Sequence, residues 1–445
     1  MLTISSIFSV SNKQNWAGVT PQDKQNLQAR LKALEDELNF YLAREYGVKI
    51  PSPSGRGTKG EGAEYEKWLA SHKPFHWFIE FYGIMKDGGF DVIIGNPPYV
   101  EYSKVRNEYT IRGYETESCG NLYAFVIERN YCLLSSSGKT GMIIPHSAIC
   151  TDRMESLISL FYRNSNTGWF STYCIRPSKL FIGVDQRLAI YLIQKGNTLS
   201  SLYSSNYHRW HDEFRPHLFS VLEYINSAKI RLSNSMLKIQ NNLEEKVWNK
   251  LVKFDKLDKF LARHISKETV YFHNAPRYWI RAMDFAPYFW NERDGEQIST
   301  QVKSLHFTSK LDGTVAVAIM NSSIFYWWFI VLSDCRHLNL REIENFPIGL
   351  DQMTEDIKQK LVNLSTQLMK DFKQHSQRKE CYYQSTGKVA YDEFYPKNSK
   401  PIIDEIDRVL AEHYGFTDEE LDFIINYDIK YRMGREGGEN DIISG

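Results

Sequence analysis

The stretch Asn96-Pro97-Pro98-Tyr99 combines residue types suited to one chemistry. An amino nitrogen on an aromatic ring or an amide is a poor nucleophile, because its lone pair is delocalised. Two acceptors aimed at its two hydrogens push it toward the pyramidal geometry that attack requires. The Asn96 side-chain oxygen and the Pro97 carbonyl are candidates for those acceptors. Pro97 and Pro98 have fixed φ and no N–H, which stiffens the turn. Tyr99 adds a flat face for a base, a contact worth roughly 1–3 kcal/mol per base in single-strand binders.

Such a turn needs a rigid support. The preceding run, Phe90-Asp91-Val92-Ile93-Ile94-Gly95, is short, apolar and β-branched. It reads as a buried strand of a parallel sheet. Ligands of open α/β sheets sit at the carboxyl ends of strands, where Asn96 stands.

The segment FDVIIGNPPY, Phe90 to Tyr99, closely resembles the catalytic motif of amino-group methyltransferases, in particular adenine-N6 DNA methylases of type IIG-like restriction–modification and phage-defence systems. The resemblance implies S-adenosyl-L-methionine as cofactor and double-stranded DNA as partner, with the target adenine flipped from the duplex. It gives Asn96, Pro97, Pro98 and Tyr99 the catalytic roles. It places Asp91, Asn121 and Tyr123 near the cofactor, although Asn121 reads equally well as a helix N-cap. Phe181 resembles an aromatic that pins the flipped base, with core packing as the competing reading. The stretch through Arg336, His337, Leu338 and Asn339 to Phe346-Pro347-Ile348 resembles a target-recognition domain. Residues 393–435 resemble the C-terminal tail of these enzymes.

The implied fold class is α/β: a partial doubly wound, Rossmann-like methyltransferase sheet lacking its first strands, a mixed α/β target-recognition domain and a helical C-terminal unit. The expected division is a helical arm and linker over 1–72, a partial catalytic domain over 73–200, a target-recognition domain over 201–350 and a helical region over 351–445. The length of 445 residues suits several domains.

Lys+Arg and Asp+Glu balance at 54 each, so global charge does not identify a partner. Its distribution does more: residues 176–310 hold 21 Lys+Arg against 13 Asp+Glu. A basic middle suits a nucleic-acid face or an ordinary solvated surface. Within 200–350, basic and aromatic residues interleave, as in His208-Arg209-Trp210 and Arg277-Tyr278-Trp279-Ile280-Arg281, a pattern compatible with stacking on nucleic acid. Arg277, Arg281, Arg336 and His337 are the candidate DNA contacts. The six cysteines contain no CxxC pair, which argues for a reducing cytosol and against a zinc ribbon. No metal site is expected. No apolar stretch reads as a membrane span, so a cytoplasmic location without a membrane partner is expected.

Leucine spacing predicts a helix over 21–46 with Gly47 as its stop. Pro51 to Gly62 reads as a linker. The aromatics Phe75, Trp77, Phe78, Phe81 and Tyr82 are expected to pack on the sheet. Val100 to Gly120 suits a lid or DNA-contacting loop. A helix is expected over 121–135 and strands over 141–145, 169–175 and 187–193. Residues 315–332 read as a strand followed by a buried helix. Helical spacing marks 357–372, 401–414 and 418–427.

A strand, a glycine-rich loop and a helix that would hold the cofactor are not found before Asn96. The expectation is a truncated or split chain, with the apolar edge of the catalytic strand unpaired and a second polypeptide supplying the glycine-rich loop. No nuclease signature is found. Two rival readings are a non-catalytic DNA-binding or specificity remnant and a protein-glutamine methyltransferase.

Overall fold

The computed structural model describes residues 20–50, 59–198, 201–232, 235–384 and 386–433. The linker expected over 51–62 lies mostly outside these, and so does the end of the tail. Packing divides the chain into two units, residues 1–170 with 188–202, and residues 171–187 with 203–445.

The first unit opens with α1 (Pro21–Glu45). Thr20 and Asp23 form a capping box at its start, and Gly47, at φ 77°, takes the left-handed conformation beyond its end. A second helix, α2 (Lys59–His72), packs against it through Tyr65, Trp68 and Ala43. The aromatic lead-in follows. Trp77 stacks on Phe81 at 5.6 Å, and Phe81 meets Phe90 edge-on at 5.3 Å. Phe75 and Phe78 stay exposed, so this cluster seals the start of the first strand with part of its surface only.

That strand is β1 (Phe90–Gly95), where the sequence places it, but it is not the buried strand expected: it lies at the edge of the sheet and none of its residues is buried. The chain then crosses through α3 (Leu122–Leu133) to β2 (Leu134–Pro145), and β1 and β2 pair in parallel. A parallel pair needs such a crossover. Helix α4 (Glu155–Asn164) leads into β3 (Ser165–Tyr173), and β4 (Leu188–Lys195) pairs antiparallel with β2. The order β1-β2-β4-β3 leaves β1 with one neighbour and makes the sheet mixed. Phe161 on α4 packs against Phe170 and Tyr191, both at 5.2 Å, and so covers one face. Among the described residues, the opposite face is open at Ile94 and Leu192. Ile94, Gly141 and Leu192 are successive partners across the sheet, and Ile94 and Leu192 are 76% and 56% exposed. A Cβ on Gly141 would lie 2.7 Å from Leu192 Cδ2, so a larger residue there would make the exposed Leu192 side chain shift.

In the second unit, β5 (Ser201–His208), which begins in the first unit, continues and pairs with β6 (Ile225–Asn226). After α5 (Asn242–Leu251), strand β7 (Thr269–His273) pairs with β8 (Ala282–Met283) and β11 (Val302–His306). A second small sheet contains β9 (Phe289–Asn291), β10 (Gly295–Glu296), β12 (Gln377–Tyr383) and β13 (Gly387–Glu393), in the order β10-β9-β13-β12. Residues 315–332 differ from expectation: they belong to two helices, α6 (Lys310–Met320) and α7 (Ser323–Leu332). Ser309 and Ser322 cap them, so the Asn321-Ser322-Ser323 interruption is a helix-to-helix corner. Every residue of α7 is buried. No single described helix is long and apolar enough to cross a membrane; this pair, bent by 73°, passes by length and composition only.

The C-terminal region holds α8 (Glu355–His375), α9 (Lys400–Tyr414) and α10 (Asp418–Asn426), with Gly415 at φ 66° closing α9 as its spacing suggests. The hairpin β12–β13 sits among these helices and was not legible as one. The whole is an α/β fold with a helical C-terminal region.

Candidate active site

The site begins where β1 ends. Asn96 is exposed, Pro97 is buried, Pro98 is exposed and Tyr99 is half-buried. Tyr99 Oη lies 2.5 Å from Asn96 Oδ1 and 2.8 Å from the carbonyl oxygen of Ile143 on β2. Burial pushes the Tyr99 hydroxyl up to about 12, so it keeps its proton at neutral pH. The ring meets Tyr123 edge-on at 6.4 Å.

The loop beyond is tied to the start of α3. Leu122 N–H donates to Val100 O at 2.9 Å, and Tyr102 N–H donates to Gly120 O at 2.9 Å. Arg153 Nη2 reaches Glu101 Oε2 at 2.5 Å and Gly120 O at 3.0 Å. The Arg153 hydrogen bond holds the Glu101 carboxyl below the usual carboxylate range. Gly120 sits at φ 61°, and a Cβ there would lie 2.3 Å from Arg153 Nη2, so glycine admits the clamp. Neither the Ile143 carbonyl nor Arg153 stands out in the sequence, because each partner is more than forty residues away and the contact exists only after the crossover folds.

A groove of about 870 Å³ runs past Asn96 and Pro97. Ile94, Gly95 and Met142 from the sheet, Trp68 and His72 from α2, and the loop from Tyr109 to Tyr114 form its walls. Arg112 and Arg129 stand at its edge, over the rings of Tyr46 and Tyr114 at 5.5 and 5.4 Å. Burial lowers the pKa of His72. Asn96 therefore meets open space. Tyr99 is not among the groove's wall residues.

The remaining sequence-derived site residues fall as follows. Asp91 is exposed on β1. Asn121 is buried at the start of α3, makes no side-chain cap, donates from Nδ2 to Glu101 Oε1 at 3.2 Å and leaves Oδ1 without a partner. Tyr123 is fully buried, with its hydroxyl on Met154 Sδ at 3.3 Å and its pKa raised by burial. Neither Asn121 nor Tyr123 is a wall residue of the groove. Phe181 is 38% exposed and belongs to the second unit.

In that unit Arg277 and Arg281 are half-buried, while Arg336 is exposed on a turn where Asp334 accepts from the backbone N–H groups of Arg336 and His337. The interleaved motif His208-Arg209-Trp210 requires correction as a nucleic-acid surface. Arg209 and Trp210 are buried. Arg209 Nε pairs with Asp428 Oδ2 at 2.8 Å, its Nη2 donates to Tyr326 Oη at 3.1 Å, and its guanidinium lies 5.2 Å from the rings of Tyr207 and Tyr278. Trp279 and Ile280 are buried as well, the former donating to Arg432 O at 3.1 Å. Cation and aromatic faces meet each other inside the protein, so the composition that suits stacking on bases is spent on the core.

Residues 20–171 match the family described as Eco57I restriction-modification methylase, which places β1 and the Asn96–Tyr99 turn inside the matched region. A protein of Methanocaldococcus jannaschii described as a type II restriction enzyme and methyltransferase is 39% identical over 127 residues, 27% of this chain and 11% of that protein. The chain therefore spans about a ninth of the length of the curated relative it matches. Among solved structures, the type IIL restriction-modification enzyme MmeI in complex with DNA covers 77% of this chain and 57% of its own, at 10% identity and a TM-score of 0.40. The type IIG restriction endonuclease BpuSI covers 77% and 54%, at 8% identity and a TM-score of 0.28. Superpositions at this level carry no argument about function.

Proposed function

We propose that this chain carries the catalytic turn of a site-specific DNA methyltransferase of a restriction–modification or related defence system, acting on the N6 amino group of adenine. The single observation that supports this most is the exposed Asn96 at the carboxyl end of β1, held by Tyr99 and opening on the groove. In this reading Asn96 Oδ1 and the Pro97 carbonyl accept the two amino hydrogens of an extruded adenine, which frees the nitrogen lone pair. The Tyr99 ring stacks on the base while its hydroxyl fixes Asn96. Arg112 and Arg129 at the groove edge favour a polyanion. Arg277, Arg281, Arg336, His337 and Phe181 are proposed DNA and base contacts.

The methyl donor of this reading is S-adenosyl-L-methionine, and Asp91, Asn121 and Tyr123 are its proposed neighbours. The described residues do not form a cradle for it by themselves. No described strand precedes β1, and no glycine-rich turn from a strand into a helix borders the groove. The free edge of β1 and the bare row of Ile94 and Leu192 are surfaces that a further strand and layer would cover. We therefore propose a second polypeptide segment bearing the glycine-rich loop, and a cytoplasmic setting.

The test is methyl incorporation from labelled cofactor into DNA, with the chain alone and with its genomic neighbour's product, followed by nucleoside analysis. N6-methyladenine supports the reading. Label in protein glutamine would favour the protein methyltransferase, and DNA binding without label under both conditions would favour the non-catalytic remnant.

A further inference from the structure

The groove past Asn96 and Pro97 carries an excess of positive charge. Its charged wall residues are Lys73, Arg112, Arg129 and Glu45, three cations to one carboxylate. His72, in the same wall, adds none. Thr110 N–H donates to its Nε2 at 3.1 Å and its Nδ1 lies 3.2 Å from Trp68 O, so the imidazole holds a single proton, on Nδ1. The cations are available to a ligand. Among the described residues, nothing accepts a hydrogen bond from Lys73 Nζ or from the Arg112 guanidinium, and Arg129 gives Nε alone, to Tyr114 Oη at 3.0 Å. The rings of Tyr46 and Tyr114, 5.5 and 5.4 Å from Arg112 and Arg129, steady the guanidiniums without neutralising them.

The same wall offers flat faces. Phe75 is 53% exposed and Tyr109 is half-buried. Trp68, by contrast, is spent on His72, whose ring stacks on it at 5.2 Å. Sites for drug-sized ligands run from about 300 to 1,000 Å³, so a groove of about 870 Å³ has room for more than the one base that Asn96 would hold. Unpaired guanidiniums suit phosphate oxygens, and a cationic groove with low-dielectric walls concentrates a polyanion. An acidic peptide would use the cations and leave the aromatic faces idle.

We propose that the strand carrying the extruded nucleotide runs single-stranded along this groove, with phosphates on Lys73, Arg112 and Arg129 and a flanking base on Phe75 or Tyr109. The proposal rests on Asn96 as the acceptor for the extruded base and extends that site to the neighbouring nucleotides.

The experiment follows binding of a fluorescein-labelled single-stranded oligonucleotide to the full chain by anisotropy, at several salt concentrations and without a methyl donor. Three phosphate contacts predict that log K falls against log salt with a slope of magnitude about 2 or more. Lys73→Gln, Arg112→Gln and Arg129→Gln should each reduce that magnitude by about 0.7. Arg163→Gln removes an exposed cation paired with Glu115 outside the groove wall and should leave the slope as it is. Phe75→Ala combined with Tyr109→Ala should weaken binding about 5-fold or more at fixed salt with the slope unchanged. The readout does not pass through methyl transfer. The predicted slopes without label in DNA would keep the groove and remove the methylase reading, whereas N6-methyladenine with wild-type slopes in all three cation variants would do the reverse. If the variants fail to fold, irradiation of the native chain with a strand carrying 5-iododeoxyuridine should attach it to Phe75 or Tyr109. Wild-type slopes in the three folded variants, an equal loss in Arg163→Gln, equal binding of a polyglutamate peptide, or attachment confined to residues outside the groove would overturn the proposal.

Discussion

The Tyr99 hydroxyl lies within hydrogen-bond reach of two oxygens at once, Asn96 Oδ1 at 2.5 Å and the Ile143 carbonyl at 2.8 Å. It has one proton to give. A half-turn of the Asn96 amide satisfies all three groups. Nδ2 then donates to Tyr99 Oη, Tyr99 donates to Ile143, and Oδ1 swings away from the ring. That is the orientation in which Oδ1 can accept from an incoming amino group. Tyr99 thus serves Asn96 as an anchor, a role the sequence-based reading, with its emphasis on stacking, did not assign.

The first prediction separates these two roles. Tyr99→Phe keeps the stacking ring and loses the anchor. In the reconstituted enzyme, turnover should fall about 10-fold or more while affinity for DNA stays within about 3-fold. Because burial raises the Tyr99 hydroxyl to about 12, its proton is present throughout the neutral range. Wild type and Tyr99→Phe should therefore share one pH–rate profile up to about pH 10, near the ordinary tyrosine value. Stacking as the whole role of Tyr99 would leave turnover unchanged.

A second prediction concerns the buried Arg209–Asp428 pair. Asp428→Ala leaves a guanidinium without its carboxylate between two tyrosine rings. Removing one partner of a buried pair costs about 3–5 kcal/mol. Denaturant unfolding should show a loss of that order in the second unit. A change in DNA affinity without a change in stability would return Arg209 to the nucleic-acid surface.

Glu244 provides a pH test. It is buried beside Trp327, and burial raises its pKa from 4.5 to about 8. A carboxyl raised in the folded state contributes stability below its unfolded value and loses it as pH climbs. Stability should accordingly decline between pH 4.5 and about 8, by at most about 1.4 kcal/mol per pH unit. Glu244→Gln should flatten that slope, as followed by melting temperature against pH.

Arg336 is exposed, on the turn where its backbone N–H donates to Asp334 Oδ1 at 2.8 Å. If it touches phosphate, Arg336→Ala should reduce the slope of log K against log salt by about 1, uniformly across sequences. Thermal stability should stay within about 0.5 kcal/mol. An unaltered salt slope would remove Arg336 from the DNA contacts.

The bare sheet row gives a further prediction. Ile94→Lys and Leu192→Lys replace two exposed apolar side chains on one face. The isolated chain should melt as wild type does. Co-purification with a second polypeptide that restores methylation should be lost. Retained assembly would show that this face is not the one covered.

Much of the first unit was legible because its signals are local. The β-branched run ending at Gly95 reads as a strand, though not the buried one expected; the leucine spacing gives α1, the helix expected over 121–135 is α3 over 122–133, and the strand expected at 141–145 is the end of a longer β2. The second unit was not, because its decisive contacts join residues far apart. Arg209 looks like a ligand for nucleic acid until Asp428, more than two hundred positions away, is placed beside it. Residues 315–320 carry β-branched and small apolar residues that suit a strand, and burial on all sides makes them a helix. In the hairpin over 377–393, half-exposed tyrosines and charges mask the alternation that marks a strand. At the Asn96–Tyr99 turn the residue types were legible, but the Ile143 carbonyl that accepts from Tyr99 was not.

The most direct measurement is methyl incorporation by Asn96→Ala, compared with wild type in the reconstituted enzyme on the same DNA. Wild type should yield N6-methyladenine, and the variant should yield none above background while binding DNA with unchanged affinity. Turnover equal to wild type in Asn96→Ala would contradict the account.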